Sequence, residues 1–315
     1  MLLRRVERSV DLRVEVGSVT LPNPVMTAAG TAGHGTELAA YIDLGALGAH
    51  VVKSLSAHPW AGNPGPRVAE VDAGMINAIG LQNPGIAGWI NDDLPAIRGT
   101  KARLVVSIWG FRVDDYAEAA AALAAVAGDL VAVEVNVSCP NIEDRRHMFG
   151  HSCDGTAAVI GAVRHTLPPS LPVWAKLSPN VTDLTEIAGA ALDAGAEGLT
   201  LINTVMGLAI DPETRRPRLG NGGGGLSGPA IRPVAVRAIA ETRRAYPDAA
   251  IIGVGGVTKG VHAVELLLAG ANAVQVGTAS FADPRATIRI LAELTEWCRR
   301  HGVGRVAELV GAGLA

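Results

Sequence analysis

Short apolar runs recur along this chain with helix-length amphipathic segments between them, and that alternation limits the possible folds more than any other feature. The runs at residues 23–28, 49–53, 103–108, 130–137, 172–177, 198–202, 250–254 and 273–276 are dominated by Val, Ile, Leu and Ala and predict buried strands. Helical patterns at 86–97, 114–127, 184–194, 229–246, 259–269 and 284–301 separate or follow them. Strands alternating with helices of this length make βαβ units and a parallel sheet. Eight such units within 315 residues predict the α/β class, a closed (β/α)8 TIM barrel rather than an open doubly wound sheet. No linker, repeat or shift in composition marks a second domain. Residues 1–315 are therefore expected to form a single barrel domain, with a short N-terminal extension and inserts at the C-terminal face. The longest insert covers residues 54–85.

Composition suits that fold: 49% hydrophobic and 18% charged residues allow a large buried core. A net charge of -3 leaves no basic footprint for nucleic acid. No uncharged apolar run reaches the roughly 18 to 20 residues that cross a membrane. The first residues carry charges but no apolar core, so a signal peptide is not expected. Cys139, Cys153 and Cys298 make neither an even disulfide framework nor a CxxC pair, which predicts a reduced, cytoplasmic protein.

Barrel chemistry sits at the C-terminal ends of the strands. The predicted ends carry Lys53-Ser54, Ser107, Asn136, Lys176, Asn203-Thr204, Gly255-Gly256 and Gly277-Thr278. The fourth run continues as EVNVSCPN, in which Pro140 stops the strand and a thiol, Cys139, stands between the carboxamides of Asn136 and Asn141. A cysteine alone is as often inert core. Two lysines converging on one mouth call for an anion or an electron-rich ring, since buried lysine needs a partner. The glycine turns after the seventh and eighth strands stand where barrels commonly bind phosphate through backbone N–H groups.

The segments NPVMTAAG, VVKS, GNPGPR, INAIGLQNPG, VNVSCPN, WAKLSP, LINT, GGLSGPAIRP, GVGGV and QVGTA span nearly the whole chain. Together they resemble the class 1 dihydroorotate dehydrogenases, FMN-dependent barrels of pyrimidine biosynthesis. The resemblance implies that Cys139 is the general base removing a proton from C5 of dihydroorotate while hydride leaves C6 for the flavin. It implies an FMN site made by Ala29, Gly30, Lys53, Ser54, Ser107, Asn136, Lys176, Ile202, Gly228, Gly255, Gly256, Gly277 and Thr278. Lys176 is placed by it at the flavin edge where negative charge develops. For the substrate it implies Lys53, Asn77, Ile79, Gly80, Leu81, Asn136, Asn141, Asn203 and Thr204. A carboxamide both donates and accepts, which matches the alternating edge of a pyrimidine.

GNPGPR and AIGLQNPG are shared with class 1B catalytic subunits, which pass electrons to NAD through an iron–sulfur/FAD partner, and a homodimer is expected. The third strand departs from that class by ending Ser107-Ile108-Trp109-Gly110, and the loop at residues 142–154 matches neither subclass beyond Phe149-Gly150. Two other activities share some of these features. A dihydropyrimidine dehydrogenase type barrel resembles the chain around the thiol, but usually has His where Asn141 stands. A lyase or isomerase without flavin could use Lys53 or Lys176 as a Schiff base. His147, His151 and Cys153 have ligand-like spacing, yet no second cluster supports them and no metal is expected. GNGGGG at residues 220–225 lacks the setting of a P-loop and is expected to be a flexible turn. The five tryptophans are expected to serve packing.

Overall fold

The computed structural model describes residues 9–138 and 148–314. Eight parallel strands form its centre: β1 (Val25–Thr27), β2 (His50–Leu55), β3 (Leu104–Ile108), β4 (Leu130–Asn136), β5 (Val173–Leu177), β6 (Gly198–Leu201), β7 (Ile251–Val254) and β8 (Ala273–Val276). Each pairs with its neighbours in chain order, and β8 pairs with β1. The ring closes between β1 and β2, where Gly48 N donates to Val25 O at 2.8 Å and Met26 bridges Ala49. Every residue of β3 and β5 is buried. A barrel strand is covered by side chains within and helices outside, so its sequence is continuously apolar rather than alternating.

The helices are α1 (Gly85–Asp92), α2 (Leu94–Arg98), α3 (Val113–Ala124), α4 (Cys153–Thr166), α5 (Leu184–Asp193), α6 (Arg232–Ala245), α7 (Gly260–Leu268), α8 (Ala279–Ala282) and α9 (Ala286–His301). Local chemistry sets their ends. Asp183 accepts from Thr185 N at 2.8 Å to start α5, and Gly302 in the left-handed region (φ 71°) ends α9. Where one helix is expected over residues 86–97, two occur: Pro95 stands in the first turn of α2, where its missing N–H is tolerated, whereas inside a continuous helix it would break the ladder.

Two expectations are corrected. The first unit has no α-helix; residues 28–49 pass through two short 3₁₀ turns, Glu37–Ala40 and Leu44–Ala46. Leu38 and Leu44 from these turns, with Ala32, Ile42 and Leu47 beside them, form a small cluster of their own. Residues 220–225 are not wholly a turn either. Gly224 and Gly225 begin the strand Gly224–Ser227 of a four-stranded antiparallel sheet, flanked by Val205–Gly207 and Gly74–Asn77, with Val68–Val71 at the edge. The approach there is too close for side chains: a Cβ on Gly225 would lie 2.1 Å from Thr204 Oγ1. This sheet, built from the inserts after β2 and β6, rises beside the mouth of the barrel.

Candidate active site

At that mouth lies a cavity of about 340 Å³. Its wall includes Ala29, Gly30, Lys53, Ser54, Asn77, Ile79, Gly80, Leu81, Asn136, Lys176, Ile202, Asn203, Thr204, Gly228, Gly255, Gly256, Gly277 and Thr278. Strand ends supply the floor and one side; the antiparallel sheet supplies the other through Val68, Met75, Asn77, Met206 and Ser227. Ser107 is the exception among the described candidates. It is fully buried and stands behind Ser54, the two hydroxyls 2.8 Å apart, and does not reach the wall. Cys139 and Asn141 lie outside the described residues.

The ends of β2, β4, β5 and β6 and the antiparallel sheet bring carboxamides and ammonium groups to the wall. Asn136 and Lys176 are register partners across β4 and β5, so both side chains leave the sheet on the same face. Asn203 Nδ2 donates to Asn136 Oδ1 at 3.2 Å, and Asn203 Oδ1 accepts from Thr204 N at 2.8 Å. Tyr116 fixes the strand end from outside by donating to Asn136 O at 2.8 Å. Asn77 Nδ2 donates to Gly225 O at 3.2 Å across the antiparallel sheet. Lys53 is partly buried and donates to Gln82 O. Burial lowers its pKa, and the guanidinium of Arg67 lowers it further. Arg67 is itself held on Gln82 Oε1 at 2.8 Å, so one glutamine aligns two cations.

The ends of β7 and β8 bring backbone and a hydroxyl. Gly255 and Gly256 follow β7, and Gly277 and Thr278 follow β8. Gly256 has φ 69°, and a Cβ there would meet Arg232 Cβ at 2.6 Å. The turn therefore requires glycine before any ligand is considered. Thr278 Oγ1 donates to Ser227 Oγ at 2.8 Å, which joins the barrel to the antiparallel sheet.

Three features of the site were not picked out from sequence. Ser227 enters the wall because the sheet folds it there. Trp60, 44% exposed, packs edge-on against Trp109 and Phe111 and donates from Nε1 to Gly80 O at 2.9 Å, bracing a wall segment from outside. Beneath the floor, the fully buried carboxylate of Glu134 stands 3.7 Å from Lys176 Nζ. A glutamate inside an apolar strand was the available signal for that residue. Among the described residues no group of three or more His, Cys, Asp or Glu could hold a metal, and Cys153 and Cys298 are free thiols.

The fold and the converging strand ends define an α/β-barrel enzyme. The family model for dihydroorotate dehydrogenase matches residues 11–297. The chain is 49% identical over 303 residues to the dihydroorotate dehydrogenase B (NAD(+)) catalytic subunit of Desulforudis audaxviator, covering 96% of this chain and 97% of that protein. It is 46% identical over 302 residues to the protein of the same name from Geobacter sulfurreducens, covering 96% and 98%. The crystal structure of DHODH in complex with ferulenol from Eimeria tenella has the same fold, with a TM-score of 0.79 at 24% identity over 99% of this chain and 90% of that one. This chain belongs to the dihydroorotate dehydrogenase family, whose members are flavin-using oxidoreductases.

Proposed function

We propose that the chain oxidises dihydroorotate to orotate with FMN bound in the mouth cavity. The observation that carries this reading is that one cavity gathers the Gly255-Gly256 and Gly277-Thr278 turns together with Lys53, Lys176, Asn136 and Asn203. The residues fit such a group. Backbone N–H groups and the Thr278 hydroxyl suit a phosphate, and the buried ammonium of Lys176 suits an edge that gains negative charge. When bound, the flavin supplies the acceptor for the hydride leaving C6 of the substrate.

The chain's own residues do the rest. Asn136, Asn203 and Thr204 orient the pyrimidine, with Asn141 added from the segment outside the described residues. Asn77 and the backbone of Ile79, Gly80 and Leu81 hold the carboxylate, and Lys53 contacts both flavin and substrate. Cys139 takes the C5 proton. A free thiol titrates near pH 8.5, so this work requires a site polarised by its neighbours. The names of the relatives carry NAD(+) and a catalytic subunit, which supports a partner subunit that passes electrons to NAD here; iron–sulfur and FAD centres in that partner, and a homodimer of this chain, are part of the same proposal.

Denaturing freshly purified protein should release FMN; release of FAD, or of no flavin, contradicts the reading. Anaerobic dihydroorotate should then bleach the bound flavin. Reoxidation by NAD only in the presence of the partner subunit would place this chain with its named relatives, and direct reoxidation by fumarate would not.

A further inference from the structure

Below the cavity floor, four strands contribute one buried polar cluster. Glu134 of β4 is 0% exposed; its Oε2 accepts from Thr200 Oγ1 of β6 at 2.9 Å and from Gln275 Nε2 of β8 at 2.6 Å. Its Oε1 has no hydrogen-bond partner and faces Lys176 Nζ of β5 at 3.7 Å, beyond hydrogen-bond reach. Lys176, 6% exposed, lines the cavity, and Glu134 does not. The two neutral donors thus fix the carboxylate through one oxygen and leave the other to act on the ammonium through charge alone. That arrangement is specific: burying a carboxylate is costly unless it is paired and hydrogen-bonded, and here the strong hydrogen bonds go to Thr200 and Gln275, not to the lysine.

We propose that Glu134 is a positioning residue that sets the electrostatic potential Lys176 presents to the cavity, and hence the reduction potential of the flavin bound there. The proposal rests on the FMN reading above. An ammonium alone beside the cavity favours the more negative, reduced form of the cofactor. A carboxylate 3.7 Å behind it offsets much of that field, because opposite charges so close act on a more distant point as a dipole. Glu134 therefore holds the potential below the value Lys176 alone would give. Thr200 and Gln275 keep the carboxylate where it can do so.

The test is the midpoint potential of bound FMN in the whole protein, with FMN dissociation constants and thermal denaturation measured in parallel. Glu134→Gln removes the charge and keeps the shape. It should raise the ratio of affinities for reduced over oxidised flavin about tenfold, an upward shift of about 30 mV for a two-electron couple. Glu134→Asp keeps the charge but withdraws it from Lys176, and should give a smaller shift of the same sign; it decides the matter if the Gln variant does not fold. Thr200→Val removes one of the two hydrogen bonds to the same carboxylate but keeps its charge and the Gln275 bond, which alone still holds it beside Lys176, so it should lower thermal stability and leave the potential within a few millivolts. An unchanged potential in the Gln and Asp variants with flavin bound, or an equal shift in Thr200→Val, overturns the proposal. A wild-type chain that binds no flavin removes the parent reading, and this one with it, so the two failures are told apart.

Discussion

Among residues, Cys139 and Cys153 are the sharpest contrast. Cys153 is the first residue of α4, behind an N-cap in which Ser152 Oγ accepts from Gly155 N at 3.1 Å. It is absent from the cavity wall. Cys139 is separated from Asn136, a wall residue, by only Val137 and Ser138, and Ser138 also lines the cavity. A positioned base contributes about 10²- to 10⁴-fold. Cys139→Ala should therefore slow bleaching of the flavin by dihydroorotate by that order while FMN stays bound. Cys139→Ser should retain part of the rate with its pH profile moved upward, since a hydroxyl holds its proton more tightly than a thiol. Cys153→Ala should change little. Stopped-flow absorbance settles the assignment, and a large loss confined to the Cys153 variant would reverse it.

Among elements, the antiparallel sheet beside the mouth depends on glycines as the barrel depends on apolar strands. Gly225→Ala places a methyl group 2.1 Å from Thr204 Oγ1 on the cavity wall. Overpacking of this kind typically destabilises by about 1–3 kcal/mol, and relief here must displace Thr204. The variant should melt earlier and show a raised KM for dihydroorotate. Gly161→Ala in α4 is the control: its Cβ meets nothing within 4 Å, and a helix interior gains roughly 0.5–1 kcal/mol from the change. A Gly225 variant with normal melting and normal KM would contradict the packing argument. The same sheet shows why parts of the architecture were hidden in the sequence. Barrel strands such as β3 and β5, buried throughout, announce themselves as unbroken apolar runs. Strand Gly224–Ser227 gave no such signal because close neighbours leave no room for a side chain at Gly224 or Gly225. The missing first helix was equally hidden, since Leu38 and Ile42 keep the i, i+4 spacing of a helix while the chain around them makes only short 3₁₀ turns. The cavity residues were legible as strand ends, whereas the Glu134 cluster joins side chains 66 and 141 residues apart and has no local pattern.

At the scale of the molecule, the passage from β1 into β2 carries a pH dependence of stability. His50, fully buried on β2, has its Nδ1 3.4 Å from Thr27 Oγ1, and its Nε2 has no hydrogen-bond partner. Burial pushes its pKa down from 6.5 to about 4. His34 is pushed to about 4 by burial and then by the Lys53 ammonium, with Glu37 opposing. Each imidazole thus binds fewer protons folded than unfolded between about pH 4 and 6.5. Stability rises with pH wherever the unfolded state binds more protons. Their contribution is therefore complete above pH 6.5 and is lost as the pH falls towards about 4. Lowered carboxylates such as Asp11, at about 2, act in a more acidic window and do not mask it. Each fully linked proton gives a slope of about 1.4 kcal/mol per pH unit, with the less buried His34 giving the smaller share. His262 on α7 is also lowered, by burial and then by Arg232, and adds its share equally to both proteins; His50→Leu removes the His50 proton and the orphaned Nε2. Urea midpoints measured from pH 7.5 to 4.5 should fall less steeply in that variant than in the wild type, by close to one proton's worth. Parallel curves for the two proteins would show that His50 is not the group being titrated.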